Sequence, residues 1–532
     1  MRYVFFFLLS LTTQLAAGQN TLSEWAPSLK SATPTSIELA WDTLPNGQNH
    51  MIWWGHKPNQ LTQHQVLNQE NHSATLTDLL PATVYYSKIQ YESNGTTFFS
   101  ATKPFITSSL SSGEMQVFFN FSVDNSYSNG ALPATTSPTA LESKMIEFIL
   151  SANQSIDICM YNVNRDGYVN ALKQAASKGV TVRYIAESAR SNYSLHNTTL
   201  NFPVLYADAS GIMHNKFLII DKNSTQDATV ITGAYNFTNS NLYEGYNNMI
   251  SIQDQSLAEI YTMEFEEMWG GSGSQPNLSQ SKIGDAKTDN TPHTIFVNGV
   301  KIESYFSPSD HTTNHIVNAI QTADKNLRFG LLAFTNDDIE NAILSLNVPT
   351  KGLIEEQYAG TITGQFQANG QQVYDFNESD HFLHHKYGLI DVESTSSDPT
   401  VITGSHNWTY SAENYNDENT LIIHSSDIAN IYLQEFEERW KTIVSIEEVN
   451  GMPVLSIHPN PARKNIFIQN NSASRQTVSI VDCLGRQMTE FVLHPNEYTV
   501  EDVQHFPQGI YSVVLQTNNG TISSKKLVIL HD

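Results

Sequence analysis

The segment MHNKFLIID, residues 213–221, places a lysine two positions after a histidine and an aspartate five positions after the lysine. HHKYGLID, residues 384–391, repeats this spacing. Because side chains two apart share one face of a β-strand, His214 and Lys216 are expected on the same side. A single strand thus presents an imidazole and an ammonium together.

The second copy contains two adjacent histidines, and strand parity distinguishes them. His384 shares the face of Lys386, whereas His385 is expected to point away from it. A lone copy of this motif would be a modest signal, because a few residue types at fixed spacing recur by chance. Two copies carry more weight if they occupy equivalent points of a repeat.

An internal repeat does surround both motifs. VITGAYNFT at residues 230–238 is echoed by VITGSHNWT at 401–409, and IYTMEFEEMW at 260–269 by IYLQEFEERW at 431–440. In both cases the second copy begins 171 residues after the first. The two motifs therefore belong to two related halves of the chain.

Helix and strand patterns alternate around both motifs. In the first copy the periodicity predicts a helix, a strand, a helix and a strand, at residues 140–150, 156–161, 169–178 and 180–185. The second copy repeats the order with a helix, a strand and a helix, at 316–323, 327–334 and 337–346. This is βαβ order, and we expect an α/β fold of two repeated lobes that face each other.

Short alternating segments such as Ser36–Trp41, separated by turn signals, predict a small β-sandwich before the repeat. LLPATVY at residues 79–85 resembles the tyrosine-corner segment of fibronectin type III domains, with Trp41 as a core residue. Tyr85 is structural in this interpretation.

The pattern of short strands returns after the repeat and predicts a second β-sandwich. Its landmarks are HPNP at 458–461, DCLGR at 482–486, QGIY at 508–511 and KKLVI at 525–529. Together they resemble the C-terminal sorting domain of type IX secretion cargo. The resemblance implies the type IX secretion machinery as a partner and export to the cell surface or the medium. An ordinary carbohydrate-binding or adhesion module is the alternative.

The predicted organisation has five parts. They are a signal peptide (1–18), a fibronectin type III-like domain (20–108), lobe 1 (114–272), lobe 2 (298–445) and the sorting domain (450–532). The signal peptide is expected from a charged start, a short apolar run and small residues. Its apolar run is shorter than the roughly 20 residues that span a bilayer, so no stable membrane insertion is expected.

The duplicated motifs, each followed by Gly-x-x-Asn, resemble the phospholipase D superfamily over about residues 116–442. The resemblance implies a phosphodiesterase in which one histidine attacks phosphorus to form a phosphohistidine. The other histidine protonates the leaving oxygen, because an anionic phosphodiester resists unassisted attack. By the same resemblance, Asp221 and Asp391 support the site from outside the phosphate pocket.

Cations must hold the non-bridging oxygens while charge develops in the transition state. Lys216 and Lys386 supply them, helped by the side-chain amides of Asn236 and Asn407. No metal and no other cofactor is then required.

The two copies differ at one informative position. Glu418 in the second copy matches the Glu-Asn pattern of the family, whereas the first copy has Asn247. A carboxylate beside an imidazole raises its pKa, while an amide only orients the ring. We therefore predict that His384, backed by Glu418, is the general acid and that His214 is the nucleophile. Asn247 as a merely tolerated substitution is the alternative.

The formal net charge of −25 opposes long-range attraction to nucleic acid. The first hypothesis is consequently a lipid phosphodiesterase that leaves phosphatidic acid, and the second a metal-independent endonuclease of the same superfamily. A surface adhesin with a decayed catalytic domain is the third, although all six motif residues are intact. The sequence does not decide between hydrolysis and transfer to an alcohol, and it does not give the oligomeric state.

The other acidic clusters are predicted to be structural. Asp337 and Asp338 fit a helix start. The glutamates within residues 264–267 and 435–438 fit solvated helix faces, and no metal-binding cluster is expected.

Overall fold

The structure is a computed structural model that describes residues 25–378, 380–393, 397–444, 455–470, 475–482, 485–495, 497–516 and 522–530. The chain divides into two compact units, Met1–Phe436 and Glu437–Asp532. The predicted signal peptide, residues 1–18, lies outside the described residues. Within the described ranges, none of the helices combines the length and the hydropathy that crossing a bilayer requires.

The first unit begins with two small sheets that share one apolar core. One sheet has the strand order β1-β2-β5, and the other has the order β4-β3-β6-β7 with β8 added to β6. The backbone N–H of Leu80 donates to Tyr85 Oη at 2.9 Å, the bond expected of a tyrosine corner. The assignment to the fibronectin type III class stays a prediction. The strands are β1 (Ser28–Thr33), β2 (Ser36–Ala40), β3 (Gln48–Gly55), β4 (Gln63–Val66), β5 (Ser73–Leu76), β6 (Val84–Ser93), β7 (Thr96–Phe99) and β8 (Lys103–Ile106).

Lobe 1 is built on an eight-stranded mixed sheet of order β10-β9-β17-β15-β14-β11-β12-β13. Strands β11, β12 and β13 are parallel, as βαβ order requires, while β14 runs antiparallel to both of its neighbours. The elements are β9 (Met115–Phe119), β10 (Thr135–Thr136), α1 (Pro138–Ser151), β11 (Ser155–Met160), α2 (Asp166–Ser177), β12 (Thr181–Glu187), α3 (Tyr193–His196), β13 (Val204–Ala207), β14 (Lys216–Ile220), β15 (Thr229–Gly233), α4 (Asn239–Tyr243), β16 (Gly245–Tyr246), β17 (Asn248–Gln253) and α5 (Gln255–Trp269).

Lobe 2 repeats this sheet in the order β18-β19-β26-β25-β24-β20-β21-β22, so the predicted duplication is confirmed. The strand that contains Lys386 occupies the position of β14, between an antiparallel hairpin partner and the first parallel strand. The elements are β18 (Thr294–Val297), β19 (Val300–Ser307), α6 (Thr312–Gln321), β20 (Leu327–Leu331), α7 (Asp337–Leu344), β21 (Thr350–Glu355), α8 (Glu356–Ala359), α9 (Ile362–Ala368), β22 (Gln372–Phe376), β23 (Phe382–Leu383), β24 (Lys386–Ile390), β25 (Thr400–Gly404), α10 (Tyr410–Asn414), β26 (Glu418–His424) and α11 (Ser426–Val444).

The second unit contains a sheet of order β27-β28-β31 and a sheet of order β30-β29-β32-β33 around its own apolar core. All three strands predicted from the sequence of this region are present. Cys483 and Leu484 of the DCLGR landmark lie outside the described residues. The strands are β27 (Leu455–His458), β28 (Asn465–Asn470), β29 (Gln476–Asp482), β30 (Gln487–Leu493), β31 (Tyr498–Asp502), β32 (Gly509–Gln516) and β33 (Ile522–Ile529).

The two motif aspartates fix the far ends of β14 and β24. The Asp221 carboxylate accepts hydrogen bonds from the backbone N–H groups of Asn153, Gln154 and Ser155 at 2.7–2.9 Å. Asp391 accepts from the three equivalent N–H groups of residues 324–326 at 2.8–3.2 Å. Each aspartate therefore joins its motif strand to the turn that begins the neighbouring parallel strand.

Asp221→Asn should destabilise the turn at residues 153–155. The new side-chain N–H₂ group would face backbone N–H groups that need an acceptor. The expected cost is about 1–3 kcal/mol of local stability. Hydrogen exchange measured by mass spectrometry should then speed up about tenfold or more at the amides of residues 153–155. Asp208→Asn, at an exposed position, is the control. Unchanged protection at residues 153–155 would contradict the assigned role of Asp221.

Candidate active site

Strands β14 and β24 each begin at the motif lysine, two residues after the motif histidine. His214 and His384 are both 7% exposed, and the two lysines are buried. Lys216 Nζ donates to the backbone oxygen of His214 at 2.6 Å, and Lys386 Nζ donates to that of His384 at 2.7 Å. Each strand therefore carries its histidine and lysine as a bonded pair, as strand parity predicted.

The two histidines are held by residues from the opposite lobe. His214 Nδ1 lies 2.7 Å from Glu418 Oε2, and His384 Nδ1 lies 2.7 Å from Asn247 Oδ1. The prediction that Glu418 backs His384 is therefore wrong. Glu418 lies in the same repeat copy as His384, but its side chain crosses between the lobes to the histidine of the other copy.

Hydrogen bonds fix the ring tautomers. Asn247 Nδ2 donates to the backbone oxygens of Asn241 and Gly245, so its Oδ1 must accept from His384. The Glu418 carboxylate likewise accepts from Nδ1 of His214. Both rings are thus protonated at Nδ1, which leaves Nε2 as the reactive nitrogen.

Backbone pairing between the lobes brings the side chains together. The His214 N–H donates to the Asp417 carbonyl at 2.9 Å, and the Asp417 N–H donates to the Ile212 carbonyl at 2.9 Å. At the equivalent place β16 pairs with β23 in parallel, and His384 N–H donates to the Tyr246 carbonyl at 3.1 Å. Each motif strand is therefore preceded by a segment that pairs with the other lobe.

The residue between histidine and lysine in each motif faces this lobe interface. Asn215 Oδ1 accepts from Asn419 Nδ2 at 2.9 Å, and His385 Nδ1 lies 2.9 Å from Asn248 Nδ2. His385 is 1% exposed, and its Nε2 lies 2.9 Å from Glu435. The prediction that His385 points away from Lys386 is confirmed.

Three of the glutamates that the sequence assigned to solvated helix faces are buried instead, namely Glu264, Glu435 and Glu437. Glu264 is 1% exposed, and its carboxylate accepts from Lys287 Nζ at 2.6 Å. Glu435 is 2% exposed and accepts from Tyr387 Oη at 2.5 Å. The expectation for these three positions is wrong, because Glu264 pairs with the buried Lys287 and Glu435 lies against Tyr387 and His385 of its own lobe. Lys287 also lies 3.2 Å from Asp417, directly before Glu418.

Burial governs the protonation of the site. It lowers the pKa of His214 to about 4, with Glu418 opposing the shift and Lys216 adding to it. Burial also lowers the pKa of His384 well below its usual value, and here both lysines add to the shift. Burial opposes ionisation of Glu418 too, but His214 and Lys216 keep its pKa below the usual value. Glu418 thus opposes the shift at His214, whereas the neighbouring lysines at His384 add to it.

The lysines respond to burial in the same direction. Burial lowers the pKa of Lys386 to about 7, although Glu418 opposes the shift. The pKa of Lys216 also falls well below its usual value, mainly through burial. A bound anion raises both values, because it favours the ammonium form.

The two Gly-x-x-Asn asparagines follow the strands that pair with β14 and β24. Asn236 donates through both its backbone N–H and its Nδ2 to Asn241 Oδ1, at 2.9 Å each. Among the described residues, Asn236 Oδ1 and Asn407 Oδ1 are buried without a hydrogen-bond partner. The predicted amide contacts with phosphate oxygens stay a prediction. Asp221 and Asp391 come five residues after the motif lysines, roughly 16 Å along their strands, and so lie outside the group of histidines and lysines.

Comparison with known families agrees with the geometry. Residues 145–269 and 316–440 match the family described as cardiolipin synthase, PLD-like domain. Each lobe therefore contains a phospholipase D-like domain. Residues 456–530 match the secretion system C-terminal sorting domain, as the landmarks of that region predicted.

Curated relatives of the phospholipase D-like lobes share a limited segment. The mitochondrial cardiolipin hydrolase of Xenopus tropicalis is 26% identical over 133 residues, which are 24% of this chain and 60% of that protein. The phospholipase D of Rickettsia prowazekii (strain Madrid E) is 33% identical over 134 residues, which are 24% and 61% of the two chains. The chain thus spans about three fifths of the length of these relatives.

Among solved structures, the phosphatidylserine synthase of Haemophilus influenzae Rd KW20 aligns with a TM-score of 0.45 and 12% sequence identity. The alignment covers 64% of this chain and 90% of that one.

Three residues of the phospholipase D-like site were not found from the sequence. The Tyr161 ring packs edge-on against His214 with centroids 4.7 Å apart, and the Arg190 guanidinium lies over that ring at 4.7 Å. His406 is 2% exposed and, by the register of β25 and β26, lies opposite Glu418. Comparison of the two copies could have revealed His406, because the equivalent residue of the first copy is Tyr235.

The lowered pKa of Lys386 predicts pH-dependent anion binding. This lysine is protonated below pH 7 and neutral above it, so sulfate affinity should fall as pH rises from 6 to 8.5. Above pH 7 the expected loss approaches about tenfold per pH unit. Sulfate is a suitable probe for titration calorimetry, because its charge is constant over this range. Lys386→Met should bind weakly with a smaller pH dependence, and pH-independent binding by the unmodified chain would contradict the prediction.

Proposed function

We propose that the chain is a secreted phosphodiesterase that cleaves phospholipid headgroups through a phosphohistidine on His214. The proposal rests on the contacts of the two motif histidines. Each is held at Nδ1 by a residue of the opposite lobe, and the backbone oxygen of each accepts a hydrogen bond from the buried lysine of the same motif. Two imidazoles with free Nε2 atoms and two cations are the groups that a two-step phosphodiester cleavage requires.

In the first step His214 Nε2 attacks phosphorus, and the bond to the leaving oxygen breaks. His384 donates its Nε2 proton to that oxygen, which departs as an alcohol. Lys216 and Lys386 stabilise the charge on the non-bridging oxygens. The attack leaves a positive charge on the phosphorylated ring of His214, and the Glu418 carboxylate at 2.7 Å stabilises it.

In the second step water replaces the imidazole at phosphorus. His384, now neutral, removes a proton from the water as the oxygen attacks. The bond between phosphorus and His214 Nε2 breaks, which releases a phosphomonoester and restores neutral His214. An alcohol in place of water gives a new diester by the same step.

The contact of Glu418 with His214 supports the nucleophile assignment on new grounds. A phosphohistidine persists between the steps, so its ring gains most from a permanent neighbouring carboxylate. His384 has only the neutral Asn247 amide and gives up its proton readily. A bound phosphodiester anion raises the pKa of His384 and so favours the protonated form that the first step needs.

Two observations support a lipid substrate. The names of the curated relatives denote enzymes of cardiolipin and other phospholipids. The formal net charge of −25 also disfavours the long phosphate backbone of nucleic acid, which basic surfaces attract. The sorting domain at 456–530 supports export, for which we propose the type IX machinery and a cell-surface or extracellular destination.

Turnover assays without added metal test the proposed activity. Phosphatidylcholine vesicles should be cleaved, and His214→Ala and His384→Ala should each reduce kcat by about 10²- to 10⁴-fold. Single- and double-stranded DNA are the comparison substrates. DNA cleavage lost in both variants would replace the lipid proposal by a nuclease, and no turnover of either substrate would favour a binding protein.

Trapping distinguishes the two histidines. Bis(p-nitrophenyl) phosphate has a leaving group that departs without protonation, so His384→Ala should still complete the first step. Without the base for the second step, it should release about one p-nitrophenolate per chain in a burst. Peptide mass spectrometry should then locate the p-nitrophenyl phosphate group on His214. A modified His384 in the His214→Ala variant would overturn the assignment.

A further inference from the structure

Arg190 is an exposed cation one aromatic ring away from the motif histidine of lobe 1. Its guanidinium lies 4.7 Å from the Tyr161 ring centroid, and its Nε donates to Tyr161 Oη. The same ring contacts His214, and Lys216 Nζ lies 5.2 Å from its centroid. Arg190 is therefore a third cation beside the two histidines and two lysines.

No carboxylate among the described residues forms an ion pair with Arg190. The nearest acidic residue in the chain, Glu187, uses both oxygens elsewhere. It accepts from the backbone N–H of Ala189 at 2.7 Å and from that of Met213 at 2.6 Å. The positive charge of Arg190 is thus available to a ligand. An arginine without an acidic partner is notable in this chain, because Asp and Glu outnumber Lys and Arg by 53 to 28.

The loop that carries Arg190 is anchored to the active-site strands. Asn192 is fully buried in the left-handed region with φ of 41°. Its Nδ2 donates to the Glu187 carbonyl at 2.8 Å, and its Oδ1 accepts from Val163 N–H at 3.1 Å. Asn tolerates this conformation better than most residues do. The structure thereby fixes the backbone that positions Arg190.

Lobe 2 has no cation at the equivalent position. Tyr161 of lobe 1 corresponds to Leu332 of lobe 2. The backbone N–H of Tyr161 donates to the carbonyl of Asn215, and that of Leu332 donates to the carbonyl of His385, the residue equivalent to Asn215. Arg190 follows Glu187 by three residues, and Tyr358 follows the equivalent Glu355 by three. At this spacing lobe 2 therefore has an aromatic residue where lobe 1 has a cation.

We propose that Arg190, positioned by the Tyr161 ring, binds a second phosphate of the substrate, next to the phosphodiester that is cleaved. This inference rests on the proposed function and specifies its substrate class. A planar guanidinium over an aromatic ring keeps its outward N–H groups free for a phosphate. The preferred substrate then carries two phosphates, one at the histidines and one at Arg190.

Matched substrates test the second phosphate directly. The first pair is the p-nitrophenyl ester of thymidine 5′-phosphate with and without a 3′-phosphate. The lipid pair is cardiolipin, with two phosphates, and phosphatidylglycerol, with one, both in vesicles. The unmodified chain should show a kcat/KM about tenfold higher for the two-phosphate member of at least one pair, which corresponds to ~1.4 kcal/mol.

Arg190→Gln should reduce this ratio to about one, and Arg190→Lys should retain part of it, because lysine keeps the charge without the planar stack. Lys178→Gln is the matched control. It removes one exposed positive charge of the same lobe, at the far end of α2, roughly 18 Å from the start of that helix. The ratio should be unaffected in this control.

The pair that shows the higher ratio, nucleotide or lipid, indicates which class of molecule supplies the second phosphate. A ratio that Arg190→Gln leaves unchanged, or that equals one in the unmodified chain for both pairs, would overturn the inference while the proposed function stands. If no pair is turned over, the proposed function fails. Calorimetry of thymidine 3′,5′-bisphosphate against thymidine 5′-phosphate then decides the inference, since only the bisphosphate should lose affinity in Arg190→Gln.

Discussion

The hydrogen bond at Nδ1 of each motif histidine, received by a residue of the opposite lobe, is the constraint on which the site depends. It fixes the tautomer and turns Nε2 toward the place where phosphorus would lie. Since Glu418 and Asn247 both reach across the lobe interface, neither lobe can orient its own histidine. Docking of the two lobes and assembly of the site are consequently one event. The backbone pairs at Asp417 and Tyr246 serve the same end.

Burial gives the site its chemical character. Two lysines and two histidines share a small volume with one ionised carboxylate, Glu418, so every cation there is costly to maintain. An anionic phosphodiester relieves that cost, which favours its binding and restores the protonated forms. The negative charge of the whole chain does not cancel this local effect, because solvent screens exposed charges beyond about 10 Å.

Duplication within one chain allows the two halves of the site to diverge. The first histidine has a carboxylate partner, whereas the second has an amide. Lobe 1 has Arg190 at the position where the same spacing in lobe 2 gives Tyr358. A symmetric pair of identical subunits could not separate these properties, because each substitution would appear twice. The asymmetry suits a reaction in which one imidazole must attack and the other must transfer a proton.

The sequence by itself determined the two lobes, the histidine and lysine pairs and the direction of His385 away from Lys386. These follow from the two-residue period of a strand and from the repeat, both of which are local properties of the chain. Only the tertiary structure decided that Glu418 contacts His214 and not His384. It also decided that Glu264 and Glu435 are buried and that Arg190 stands beside the site. The physical reason is that these contacts join segments far apart in the chain, and their partners are selected by how the lobes dock, which no local periodicity encodes.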